Sequence, residues 1–197
     1  MNMKYISITK LKRKNEIKLL ISKLKLIEKK DKNDVFEKLV KQGLDTLQSN
    51  GKIVFFGNGG SASDAQHLAT EITVRYKKNR RALAALSLTT DTSAITAIGN
   101  DFSFKKIFSR QIEALCQKND LAIAITTSGN SENIIEAVKQ CKKQNVTVFA
   151  LSGNNGGKLK KHLRNIIFFP KASTSLTQVM QIFIGQLFCE ILEERLT

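Results

Sequence analysis

The chain has 197 residues, 42% hydrophobic and 25% charged, a composition that excludes fibrous, disordered and disulfide-stapled classes. At roughly 150 residues per domain, the length suits one α/β domain with an extra helical segment. Net charge is +15, from 32 Lys and Arg against 17 Asp and Glu, a field that attracts phosphorylated metabolites, nucleic acid or an acidic protein. No aromatic residues interleave the basic stretch at 10–30, so direct nucleic-acid binding is the weaker reading of the charge.

The first fifty residues predict helix. Ile17, Leu20, Ile21, Leu24 and Ile27 recur at three- and four-residue steps, and Val35, Leu39, Val40, Leu44 and Leu47 repeat the pattern. Residues 1–50 are expected to form a helical arm and 51–197 an α/β domain. From Ile53, short apolar runs appear at Ile53–Phe56, Leu83–Leu88, Leu121–Ile125, Val146–Leu151 and Ile166–Phe169, separated by amphipathic stretches around 62–77, 103–117, 131–144 and 173–196. Runs without polar alternation predict strands buried on both faces, hence a five-stranded, doubly wound parallel sheet of flavodoxin-like α/β class. The closing stretch Ser173–Glu194 is apolar on much of its circumference, which predicts contact with a neighbouring subunit as well as with its own sheet. No apolar run approaches the roughly 18–20 residues of a membrane span, and no signal-peptide pattern opens the chain. Cys116, Cys141 and Cys189 form no CxxC pair, as expected in a reducing cytoplasm.

Two turns at expected strand ends carry unusual composition. Gly57-Asn58-Gly59-Gly60-Ser61-Ala62-Ser63-Asp64 lets the backbone approach a ligand closely, and the Ser61/Asp64 spacing predicts a capping box for the next helix. Thr126-Thr127-Ser128-Gly129-Asn130-Ser131 sets four hydroxyls and a glycine at a helix N-terminus, the composition of a phosphate-binding loop; it contains no Lys or Arg. His67 and Glu71, four residues apart, share one helix face and are candidates for general acid–base work or for holding a metal. With two histidines in the chain, a three-histidine metal site within one subunit is excluded.

Three segments, Gly57–His67, Ile98-Gly99-Asn100-Asp101-Phe102 and Thr127-Ser128-Gly129-Asn130-Ser131, resemble in order and spacing the signatures of the phosphoheptose isomerases of the sugar isomerase (SIS) fold, a likeness spanning roughly residues 35–195. The resemblance implies a cytoplasmic homotetramer that turns sedoheptulose 7-phosphate into D-glycero-D-manno-heptose 7-phosphate through an enediol, toward the heptoses of surface polysaccharides such as lipopolysaccharide. It implies phosphate contacts at Thr126, Thr127, Ser128 and Ser131. Sugar contacts would fall on Asn58, Gly59, Gly60, Ser61, Asn100, Asp101 and Gln178, and Glu71 would be the proton-transfer carboxylate. It also implies zinc on His67, Glu71 and Gln178, with a fourth ligand at the position of Gln186.

The last helix departs from that pattern. Ser175 stands where Asp is expected, Gln181 replaces one histidine and Gln186 the catalytic one. A carboxamide does not titrate in the useful range. The alternative implied by the same resemblance is a non-catalytic SIS adaptor that binds the replication initiator.

Overall fold

The apolar runs are strands covered on both faces. In a computed structural model describing residues 3–30 and 34–197, β1 (Ile53–Gly57), β2 (Ala85–Ser87), β3 (Leu121–Thr126), β4 (Thr147–Ser152) and β5 (Ile166–Phe168) form one parallel sheet. Its order is β2-β1-β3-β4-β5. Ile53, Phe55, Ile123 and Ile125 join one hydrophobic cluster; Val54, Phe56, Ala122 and Ala124 join the other. Successive side chains of a strand point to opposite faces, so burial of both leaves no polar position.

α1 (Met3–Lys30), α2 (Val35–Gln48), α3 (Gly60–Thr73) and α7 (Thr174–Leu196) lie on the first face, and α4 (Thr92–Asp101), α5 (Ser109–Leu115) and α6 (Glu132–Lys143) on the second. Leu39 and Leu47 of α2 are buried in the first core, whereas α1 contributes Ile27 fully and Leu20 and Leu24 in part, leaving Ile17 and Ile21 exposed. Residues 1–2 and 31–33 of the expected N-terminal arm lie outside the described residues.

Four local expectations change. The stretch at 103–117 is a short 3-10 turn at Phe104–Lys106 followed by α5, and α3 stops at Thr73. α4 is an addition to the expected elements; it fully buries none of its residues and sets only the short stripe of Ile95 and Ile98, partly buried, against the second core, while Asp91 caps it by accepting from Ala94 N–H at 2.9 Å. α7 is, contrary to the reading of the apolar runs, long and apolar enough by length and composition to cross a membrane. Here Met180, Phe188, Cys189 and Leu192 are buried in the first core, while Val179 (46%) and Phe183 (50%) stay exposed.

One ionic knot ties α3 to α7. Glu193 is 2% exposed and Arg80 4%, and Arg80 Nε donates to Glu193 Oε1 at 3.1 Å. Glu193 also accepts the backbone N–H groups of Tyr76, Lys77 and Lys78 at 2.7–2.8 Å. The Arg80 guanidinium caps the end of α3 on the carbonyls of Glu71 and Ile72, at 2.9 Å each. Burial alone would push the Glu193 carboxyl up, but the three N–H donors and Arg80 outweigh it and hold it below the ordinary glutamate range. A lowered carboxyl contributes stability that is complete above its unfolded value and is lost as pH falls through the folded one. Glu193→Gln, which strands a buried guanidinium, is expected to cost about 3 kcal/mol. Urea unfolding at neutral pH checks it, and the gap to wild type should narrow on acidification below about pH 4.

Candidate active site

β1 and β3 are neighbours, yet α3, which follows β1, packs on the first face and α6, which follows β3, on the second. Loops leaving such a pair diverge and open a crevice beyond the carboxyl ends of the strands, where open α/β sheets bind ligands. The two candidate loops leave these two strands.

The first loop is held by close approach. A Cβ on Gly60 would lie 2.2 Å from Gln178 Nε2, so glycine at that position lets α7 bring Gln178 against the start of α3. Asn58 and Asn133 form a reciprocal amide pair, at 2.9 and 2.8 Å, that ties the loop to the first turn of α6. Asn133 had carried no sequence signal, because its partner lies 75 residues away. The capping box expected from Ser61 and Asp64 does not form. α3 begins at Gly60 after Gly59 (φ 55°), which places Ser61 inside the first turn, where it is buried. Asp64 Oδ2 is buried without a hydrogen-bond partner; burial pushes its carboxyl up and His67 pulls it down.

The second loop is braced from within and from below. Thr126 is buried and its Oγ1 accepts from Gly129 N–H at 3.2 Å, while Ser128 Oγ accepts from Asn130 N–H at 3.1 Å. Ser131 is the N-cap residue of α6 but makes no side-chain cap bond, so its hydroxyl is not spent on the helix. Beneath, Leu159 N–H donates to Gly129 O and Lys158 N–H to Asn130 Oδ1, each at 2.9 Å. Gly129 has φ +65°, and a Cβ there would meet Gly156 O at 2.3 Å. Gln181, 0% exposed, donates from Nε2 to Thr126 O at 3.0 Å and to Leu151 O at 2.9 Å, stapling the ends of β3 and β4 together. A cavity of about 210 Å³ opens between Thr127 and Ser128 of this loop and the start of α7.

His67 and Glu71 meet as the spacing predicts, with Nε2 and Oε1 2.9 Å apart. Asn100 Nδ2 donates to Asp101 Oδ1 at 2.8 Å at the exposed end of α4. These groups do not all converge within one chain, because eleven residues of α3 at 1.5 Å each separate Gly60 from Glu71 by about 16 Å. Nor do the donors of one chain complete a zinc site. Among the described residues no group of three His, Cys, Asp or Glu could hold a metal ion, and the fourth position implied by the resemblance is the amide of Gln186. A site of one imidazole, one carboxylate and amides does not fit zinc.

Comparison with known proteins agrees with the fold. The SIS domain family matches residues 17–153. The chain is 49% identical over 158 residues to the phosphoheptose isomerase of Paramagnetospirillum magneticum, covering 80% of this chain and 82% of that protein. It is 49% identical over 148 residues to that of Aquifex aeolicus, covering 75% and 78%. The solved phosphoheptose isomerase of Neisseria gonorrhoeae superposes with a TM-score of 0.86 at 36% identity, over 94% of this chain and 99% of that one.

Two glycines give a paired test. Gly129→Ala must adopt a left-handed backbone and displace Gly156, and is expected to cost more than about 2 kcal/mol. Gly99 lies in α4 with open space around its Cβ position, so Gly99→Ala should gain about 0.5–1 kcal/mol from helix propensity. Thermal unfolding of the two variants checks both signs.

Proposed function

The chain belongs to the SIS-domain family and, within it, to the phosphoheptose isomerases, and on that premise we propose that it converts sedoheptulose 7-phosphate to D-glycero-D-manno-heptose 7-phosphate in the cytoplasm. The observation that carries the reading is the pair of loops at the β1–β3 crevice: hydroxyls and a helix N-terminus suited to a phosphate beside a glycine turn open to a sugar backbone. Three buried cysteines, none of them in a disulfide, agree with a reducing compartment.

The ketose-to-aldose step needs a base that removes a proton from C1 while the C2 carbonyl oxygen gains one, giving an enediol, and that then returns a proton to C2 as the C1 hydroxyl proton leaves. Glu71 is the carboxylate assigned to the carbon-bound proton. His67, in hydrogen-bond contact with it, is the titratable neighbour assigned to the oxygen-bound one. Gln186 takes no part in proton transfer, and its amide is left to bind or orient.

The active unit is proposed to be a homotetramer. The exposed Val179 and Phe183 of α7 and Ile17 and Ile21 of α1 are apolar surface suited to a second copy. The separation of about 16 Å between Gly60 and Glu71 along α3 calls for one protomer's phosphate loop to be served by another's Glu71.

Conversion of sedoheptulose 7-phosphate followed by NMR tests the reading. Glu71→Gln should lower turnover by about 10²–10⁴. Turnover should survive a chelator, and mixing inactive Glu71→Gln subunits with Ser128→Ala subunits of raised KM should restore part of the activity at low substrate concentration. Saturable binding of the sugar phosphate by the wild type with no turnover, with zinc supplied, would overturn the enzyme reading in favour of the adaptor.

A further inference from the structure

The cavity beside the phosphate loop has a wall that neither the loop sequence nor the family signatures describe. Its lining joins Thr127 and Ser128 to Asn154 and to Lys171, Ala172, Thr174 and Thr177 at the start of α7. Lys171 is the only charged residue in that lining, and it is contributed from 43 positions beyond Ser128 by the segment between β5 and α7. No carboxylate lines the cavity.

The hydroxyls here are disposed to face a ligand. Ser128 Oγ already accepts from Asn130 N–H, so its own proton is left to donate into the cavity. Thr177, buried, spends its proton on Ser173 O at 2.9 Å, and its oxygen keeps its lone pairs. A 23-residue helix capped by the Ser173 side chain begins at the opposite wall and adds favourable potential for an anion. An anion held by hydroxyls alone lacks a counter-charge, and Lys171 supplies one as a flexible point charge on an exposed stem.

We propose that Lys171 is a substrate-binding residue that closes over the phosphate of the sugar phosphate from the α7 side, making the chain selective for the phosphorylated, dianionic form. The inference rests on the assignment of the Thr126–Ser131 loop to the phosphate. Lys171 stands at the non-reacting end of the substrate, so its loss weakens ground state and transition state alike and appears mainly in KM.

Calorimetric binding of inorganic phosphate and of sedoheptulose 7-phosphate, with steady-state kinetics, tests it on the full-length protein carrying Lys171→Gln, Lys171→Arg or Ser128→Ala at low and high salt. Lys171→Gln should weaken binding of both ligands by about tenfold, as expected for loss of one charge-assisted contact, with Lys171→Arg retaining most of the affinity. The difference between wild type and Lys171→Gln should shrink as salt screens the exposed cation. Unchanged KM and salt dependence in Lys171→Gln, while Ser128→Ala loses phosphate, would overturn the role of Lys171 and leave the loop assignment standing. If neither variant changes phosphate affinity, the loop assignment and the inference fall together.

Discussion

The parallel pairing of β1 with β3, with their helices departing to opposite faces, is the constraint on which the candidate site depends. Hydrogen bonding in register from Ile53 against Leu121 to Gly57 against Ile125 fixes the strand ends side by side. The divergence of α3 and α6 then leaves the two loops facing one crevice. Neither loop is a site alone. The first has glycines and amides but little to neutralise an anion, and the second has hydroxyls and a helix N-terminus but no sugar-facing backbone. Pairing at the switch point makes them one site.

Close approach to the main chain, by other backbone and by buried side-chain amides, then sets the shape of that site. Gly129 fits against Gly156, Gly60 against Gln178, and Gln181 draws the last carbonyls of β3 and β4 onto one amide. These contacts concern positions of the main chain, so the loops arrive preorganised and little ordering remains for the ligand to induce. The Glu193–Arg80 knot does the same for the far end of α3, where Arg80 holds the carbonyl of Glu71 itself.

Much of this was legible in the sequence, and the parts that were not share a cause. The five strands could be read because burial on both faces leaves an unbroken apolar run, and the two loops because their composition is unlike that of ordinary turns. α4 escaped because it fully buries none of its residues and its stripe is only Ile95 and Ile98; the cap at Asp91 was its other signal. The capping box at Ser61 and Asp64 fit the spacing rule, but Gly59 with positive φ lets the helix start before Ser61. Asn133, Lys171 and Thr177 join the site only through contacts between segments far apart in the chain. Spacing rules cannot reach them. The Ser173-Thr174-Ser175 cluster at the start of α7, so like the Thr126–Ser131 run, was the hint that a second hydroxyl-rich turn faces the first.

Three glutamines on α7 separate geometry from the proton chemistry proposed for α3. Gln178 packs against Gly60, Gln181 is buried across the ends of β3 and β4, and Gln186, next to the Gly185 that fits over Leu68, stands where the family resemblance implies a histidine. An amide donates and accepts at once and does not change charge, so it holds a backbone in place with equal strength across the pH range in which an imidazole would titrate. Gln181 accepts one cost for this, since its Oε1 is buried without a partner. That cost is tolerable because Nε2 satisfies two carbonyls whose positions set the Thr126–Ser131 loop. The proton chemistry proposed for this chain falls to α3, where His67 and Glu71 lie in contact on an accessible face. On the proposed function, α7 is a positioning helix, and acid–base work rests on the single pair that α3 presents.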